Sequence, residues 1–155
     1  MPKSEVFPVA NPLPLEQARK IITAARERGR ERGFMPLTVV VLDTGGHCIA
    51  MEREDGAGIV RQQVATGKAW GALGMGLGSR TIGGRNQGRE AFLAGVAAAS
   101  DGRFVPVPGG VLVINNGQAI GAVGVSGDTS DADEECAVAG VEAAGYAAGI
   151  DTPEG

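Results

Sequence analysis

The sequence predicts a single α+β domain, and three observations carry that expectation. Residues 36–55 and 108–127 have the form of β-hairpins, apolar runs joined by "DTGG" and "NNGQ". Other stretches space their apolar residues by three and four, the period of a helix. The order is in blocks: helix, two strands, two helical pieces, two or three strands, helix. Antiparallel hairpins with segregated helices differ from the strict alternation of a doubly wound parallel sheet. A chain of 155 residues suits one domain with a real core. With 26 glycines and only 4% aromatic residues, that core must be built from Val, Ile, Leu and Ala with backbones packed close together.

Residues 1–12 contain three prolines and no periodicity, which predicts an extended arm ahead of a domain over 13–150. Leu15, Ala18, Ile21, Ile22 and Ala25 form a helical stripe, with Arg19, Arg26 and Glu27 opposite. Pro14 suits the first turn and Gly33 a stop, so the helix spans about 14–32. Val39 to Leu42 is a continuous apolar run, as in a strand covered on both faces. The glycines of "DTGG" supply the positive φ of a turn, and "HCIAMER" returns as a strand. In a regular strand Cys48 and Met51 face opposite ways, whereas His47 and Met51 share a face.

Val60, Val64, Ala65, Ala69 and Leu73 predict a second helix, although Gly67, Gly71, Gly74 and Gly76 lie within its stretch. Each interior glycine costs a helix about 0.5–1 kcal/mol relative to alanine. Close approach of another backbone, in this subunit or a neighbour, or of a flat ligand would offset that cost. The next stretch is helical but broken, with Gly83 and Gly84 marking the break and a short helix over 89–99. An extended connector pinned by Pro106 and Pro108 follows. Asn116-Gly117 is the strongest two-residue hairpin signal, since a type I′ turn needs positive φ at both positions. On its return strand, alternation groups Ile120, Ala122, Gly124 and Ser126 on one face, and Gly121, Val123 and Val125 on the other. Residues 126–130 supply cap chemistry for a last helix with a buried stripe of Ala137, Val141, Ala144 and Ala148. Asp131, Asp133, Glu134 and Glu135 crowd its first turn, and with Asp128 they read as capping and solvated surface.

Several functions are disfavoured by composition. A net charge of -4 with scattered basic residues offers no face for nucleic acid. No uncharged apolar run is long enough for a membrane span. The N-terminus lacks the apolar core of a signal peptide, so a cytoplasmic protein is expected. Cys48 and Cys136, the only cysteines, form no zinc pattern. "GGVLVINNGQAIG" is not a phosphate loop, because no Walker lysine follows and no GxGxxG opens a helix. A single histidine, His47, rules out two-histidine metal sites.

"LTVVVLDTGGHCIAMEREDGA", "GKAW" and "VPVPGGVLVINNGQAIGAVGVSGDTSDADEECAVAG" together resemble the GlcG/HbpS family, over about residues 13–148. The resemblance implies a profilin-like antiparallel sheet flanked by helices, assembled as a homo-oligomer. Members of that family include an extracellular heme-binding partner of a sensor kinase and a heme-binding domain fused to cobalamin adenosyltransferases. Others are encoded with glycolate or aromatic catabolism genes, which implies a place in a catabolic pathway.

Beside that resemblance, the residues support three kinds of function. As a binding protein for heme or a related small molecule, the chain would use His47 as the iron ligand, with Cys48 and Met51 as alternatives nearby. Lys68 or Arg80 would pair with propionates, and Gly109 and Gly110 would present amides to an anion. As a cofactor-independent isomerase or lyase acting on an organic acid, Lys68 or Glu52 would move a proton next to a carbonyl. Arg80 and the Gly109-Gly110 amides would then hold the carboxylate. As an assembly protein, the chain would use its Gly67/Gly71 face for subunit packing.

Overall fold

The computed structural model describes residues 5–151. Residues 5–12 are exposed and belong to no helix or strand; the first four residues of the expected arm lie outside the described residues. The elements run α1 (Leu15–Arg32), β1 (Thr38–Leu42), β2 (Cys48–Arg53), α2 (Val60–Met75), α3 (Ser79–Arg85), α4 (Glu90–Ala99), β3 (Gly110–Asn115), β4 (Gln118–Ser126), α5 (Ser130–Ala143) and β5 (Ala147–Gly149). The strands form one antiparallel sheet in the order β2-β1-β4-β3-β5, as an α+β fold requires.

The sheet is covered on both faces. On one face α1 and α5 enclose the larger core, with Ile21, Ile22, Val39, Val41, Val111, Val113, Val123 and Val125 among its members. On the other face α2 closes a smaller core of Val40, Leu42, Ala65, Ala69, Ala72, Leu112 and Ala122. This two-sided burial explains the unbroken apolar run of β1, every residue of which is buried.

Glycines decide how α2 sits. On the sheet side, a Cβ at Gly110 would land on the Lys68 carbonyl and one at Gly124 on the Ala65 carbonyl. The helix backbone therefore rests directly on β3 and β4. On its outer side, Gly67 lies against the Val105 side chain and Gly71 against the Phe104 ring. The Val105 amide also donates to the Gly67 carbonyl at 3.2 Å. The Gly67/Gly71 face is thus filled by the connector of the same chain, not kept for a neighbouring subunit.

Helix ends follow the expected chemistry with two exceptions. α1 stops at Gly33 (φ 69) and α2 at Gly76 (φ 69), both left-handed. Thr129 caps α5, its hydroxyl accepting from the Ala132 amide at 3.2 Å. Thr129→Ala should therefore cost about 1 kcal/mol, read as a lower midpoint in a thermal melt. The first exception is α3, which runs through Gly83 and Gly84; the break falls after it, where Gly88 takes a φ of 78. The second is α5, which ends at Ala143 because Gly145 turns left-handed with a φ of 89. Ala148 therefore belongs to the edge strand β5 and not to a helical stripe.

Two bulges alter the faces expected from alternation. Ala119 pairs with Ile114 and Gly121 with Val113, leaving Ile120 extra. Ile120 consequently joins the α1/α5 core and parts from Ala122. In β2, Cys48 pairs with Leu42 and Ala50 with Val41, leaving Ile49 extra. The Asn116-Gly117 turn has φ values of 51 and 75, as a type I′ hairpin demands.

Candidate functional site

Chemistry-bearing side chains gather where α5 begins. Lys68 comes from the middle of α2 and is 2% exposed; Asp133 comes from the first turn of α5 and is 1% exposed. Lys68 Nζ donates to Asp133 Oδ2 at 2.9 Å and to the Val125 carbonyl at 3.0 Å. Asp133 Oδ1 accepts from the Asp128 amide at 3.0 Å. Burial pushes the Lys68 ammonium below its ordinary range and the Asp133 carboxyl above its own, and in each case the partner only partly offsets it. Gly109 (φ 126) lies against Lys68 Nζ, where a Cβ would be 2.8 Å away. Gly110 donates its amide to Ser79 Oγ at 2.8 Å, and the same hydroxyl donates to the Val107 carbonyl at 2.6 Å.

The structure brings Lys68, Gly109 and Gly110 together as the sequence suggests, but as an internal fastening. The Gly110 amide is engaged by Ser79 and so is not presented to an anion. Arg80 is exposed and reaches a different pair of α5 carboxylates, with Nε 3.0 Å from Glu134 Oε1 and an amino group on Asp131. Lys68 and Arg80 thus flank one helix start, each with its own acid. The acidic run is less a solvated surface than an anchor. Asp133 holds Lys68, Glu135 meets Arg28 and Arg32, and Asp128 accepts from the Met35 amide at 2.7 Å. Glu52 stands opposite Val39, on the α1 face, where Arg26 Nη1 lies 2.6 Å from its carboxylate. It shares no site with Lys68, which lies beyond the sheet.

His47 occupies the β1–β2 turn and its side chain is 81% exposed. Asp43 organises that turn, accepting from the amides of Gly45 at 2.9 Å and His47 at 3.0 Å through Oδ1. Burial pushes the Asp43 carboxyl up, and those two amides together with the neighbouring imidazole outweigh it, holding the group below its ordinary range. The same oxygen lies 3.3 Å from His47 Nδ1, and the Nδ1–Cε1 edge of the ring lies over Gly45, where a Cβ would be 2.8 Å away. The bulge at Ile49 corrects the expected neighbours. Cys48 opposite Leu42 and Met51 opposite Val40 share the α2 face. His47 aligns with Asp43, whose amide donates to its carbonyl at 2.9 Å, and so lies off that face. Cys48 and Met51 do not join His47 around one centre.

One apolar cleft was not foreseen. Trp70, Gly71, Gly74 and Met75 of α2 face Val96 and Ala99 of α4 and the Phe104 ring across a volume of about 230 Å³. The Arg103 guanidinium sits 5.0 Å from the centre of the Trp70 ring. Gly46, beside His47, lies against the other edge of Trp70, where a Cβ would be 2.8 Å from Nε1. Trp70 therefore links the His47 turn to the cleft. The signal in the sequence was the lone tryptophan within "GKAWGALG", whose spaced glycines bare a helix face beside the ring.

Comparison with known proteins agrees with this architecture. A 15.0 kDa protein of the dhaT-dhaS intergenic region of Citrobacter freundii is 34% identical over 119 residues, spanning 77% of this chain and 82% of its own. Protein GlcG of Escherichia coli K12 is 34% identical over 115 residues, spanning 72% and 78%. A crystal structure of a PduOC:heme complex superimposes with a TM-score of 0.78 at 26% identity, covering 86% of this chain and 96% of that one. The family model for haem degrading protein HbpS-like matches residues 13–142, and the chain belongs to that HbpS-like family.

Proposed function

We propose that the chain binds heme or a related flat, anionic small molecule, with His47 as the iron ligand. The carrying observation is the exposed imidazole, 3.3 Å through Nδ1 from Asp43, in a turn whose Gly46 packs on the Trp70 indole. A carboxylate behind one ring nitrogen is the usual way an imidazole is oriented toward a metal. The likeness to the PduOC:heme complex supports the choice of ligand. The cleft, at about 230 Å³, lies below the roughly 300–1,000 Å³ of enclosed small-molecule pockets. It would grip a ring edge between Trp70 and Phe104 without engulfing the molecule. Arg103, exposed over Trp70, replaces Lys68 and Arg80 as the cation for a propionate, because those two already hold carboxylates.

The same reading has the protein act in the cytoplasm as a homo-oligomer in a catabolic pathway. Its support for assembly is α4, whose Phe92, Leu93, Val96 and alanines include no buried residue. Among the described residues, no helix is long and apolar enough to cross a membrane.

Titration with hemin tests the binding. The wild type should give a saturable, shifted Soret band, and His47→Ala should change its position and weaken binding by tenfold or more. An unshifted band, or one identical in His47→Ala, removes His47 as the ligand.

A further inference from the structure

A second polar constellation lies at the opposite end of α2. Thr38 begins β1 and stands directly between Arg53 on β2 and Ser126 on β4. Two residues along, Val40 pairs with Gly124, which faces Ala65, so this row of three looks up at the first turns of α2. Arg61 of the first turn reaches down to it, with Nη1 3.4 Å from Ser126 Oγ. Thr38 and Ser126 are both fully buried.

Thr38 Oγ1 has no hydrogen-bond partner in the protein, alone among the buried side-chain polar atoms of the described residues. Such a hydroxyl carries its full desolvation penalty unless something else meets it. The charges here are also unbalanced. Arg53 and Arg61 have no carboxylate partner among the described residues, whereas Arg26, Arg28, Arg30, Arg32 and Arg80 all do. Glu52 and Glu54, which flank Arg53, are turned to the other side, engaged by Arg26, Arg30 and the Leu37 amide. Asp133 is committed to Lys68. Arg61 bears on Lys68 as a like charge. The start of a 16-residue helix, which has no side-chain cap, adds the positive end of its dipole.

We propose that Thr38, Ser126, Arg61 and Arg53, under the N-terminus of α2, form a binding site for a small oxyanion, a phosphate or carboxylate group. Two guanidinium groups supply charge and paired donors, and the two hydroxyls complete the oxygen shell. This site is separate from the His47 turn and does not depend on heme binding.

The test is thermal denaturation with inorganic phosphate or malonate, each against chloride at matched ionic strength. The wild type should show a saturable rise in midpoint with at least one of them. A response to phosphate alone assigns a tetrahedral anion, and one to malonate alone a carboxylate. Thr38→Val should raise the midpoint in chloride, since the unmet hydroxyl is gone, while weakening the anion by about tenfold or more. Arg61→Gln, at a partly exposed position, should weaken it at least as much with little effect in chloride. The proposal is overturned if neither anion acts on the wild type, if both variants respond as the wild type does, or if Thr38→Val lowers the midpoint in chloride.

Discussion

Gly124→Ala is expected to destabilise the protein by about 3 kcal/mol or more, the upper end of what an added methyl costs in a packed core. The new Cβ would meet the Ala65 carbonyl, part of the α2 backbone. A flexible side chain could swing aside, but a helix carbonyl cannot move without its turn. The neighbouring Ala69 Cβ, 3.2 Å from the same point, closes the other way out. Small domains are stable by only about 5–15 kcal/mol in total. At about 2–4 °C per kcal/mol for a chain of this size, the midpoint should fall by roughly 6–12 °C. Gly95→Ala is the matching control. It lies within α4 with nothing inside 4 Å of the added atom. It should be neutral or stabilising, by up to about 1 kcal/mol. Thermal melts of the two variants side by side distinguish a steric effect from a general sensitivity to alanine.

Lys68→Met and Asp133→Leu, made singly, should each cost about 3–5 kcal/mol, because each strands a buried charge. Together they should return most of that loss. Both pKa shifts say that burial outweighs mutual attraction: Lys68 falls below 10.5 and Asp133 rises above 3.8. A carboxyl with a raised folded value stabilises the fold below its unfolded pKa, and loses that contribution as pH rises through the folded one. An ammonium with a lowered folded value contributes above its unfolded pKa, and loses this as pH falls through the folded one. Between the two folded values neither contribution is present. The double variant should therefore compare best with the wild type there. Its advantage should shrink as pH falls from the raised folded value of Asp133 toward 3.8, and as pH rises from the lowered folded value of Lys68 toward 10.5. Denaturant melts across pH, on the wild type and three variants, give the coupling energy directly. A double variant as unstable as the sum of the singles would show that the pair does more than neutralise itself.

The elements of the fold were largely legible in the sequence because local chemistry specifies them. Gly33 ends α1, Asn116-Gly117 turns the second hairpin, and the stripe from Ala18 to Ala25 faces the core. Where the reading failed, a single residue changed the geometry. One extra residue at Ile49 and another at Ile120 shift each strand against its neighbour, and alternation has no way to register an insertion. The spacing of Ala148 from Ala144 predicts a helix; the left-handed Gly145 between them decides otherwise.

The site was less legible for a different reason. The sequence singles out Lys68 and Gly110 as candidates, yet their partners, Asp133 and Ser79, are brought in by helices distant in the chain. Whether a lysine is free or committed depends on that meeting, which no local pattern encodes. The Trp70 cleft likewise needs α4 to pass beside α2.

The contacts of Gly110 and Gly124 with the α2 backbone also index that helix along the strands, like a rack engaged by its pinion. Sliding α2 along β4 would set its backbone against the Cβ of Ala122 or Ser126, which share the Gly124 face, in place of a bare Cα. Any rearrangement on ligand arrival must then come from elements outside this mesh, α4 first among them. Amide exchange in α2 should proceed only when β3 and β4 open with it.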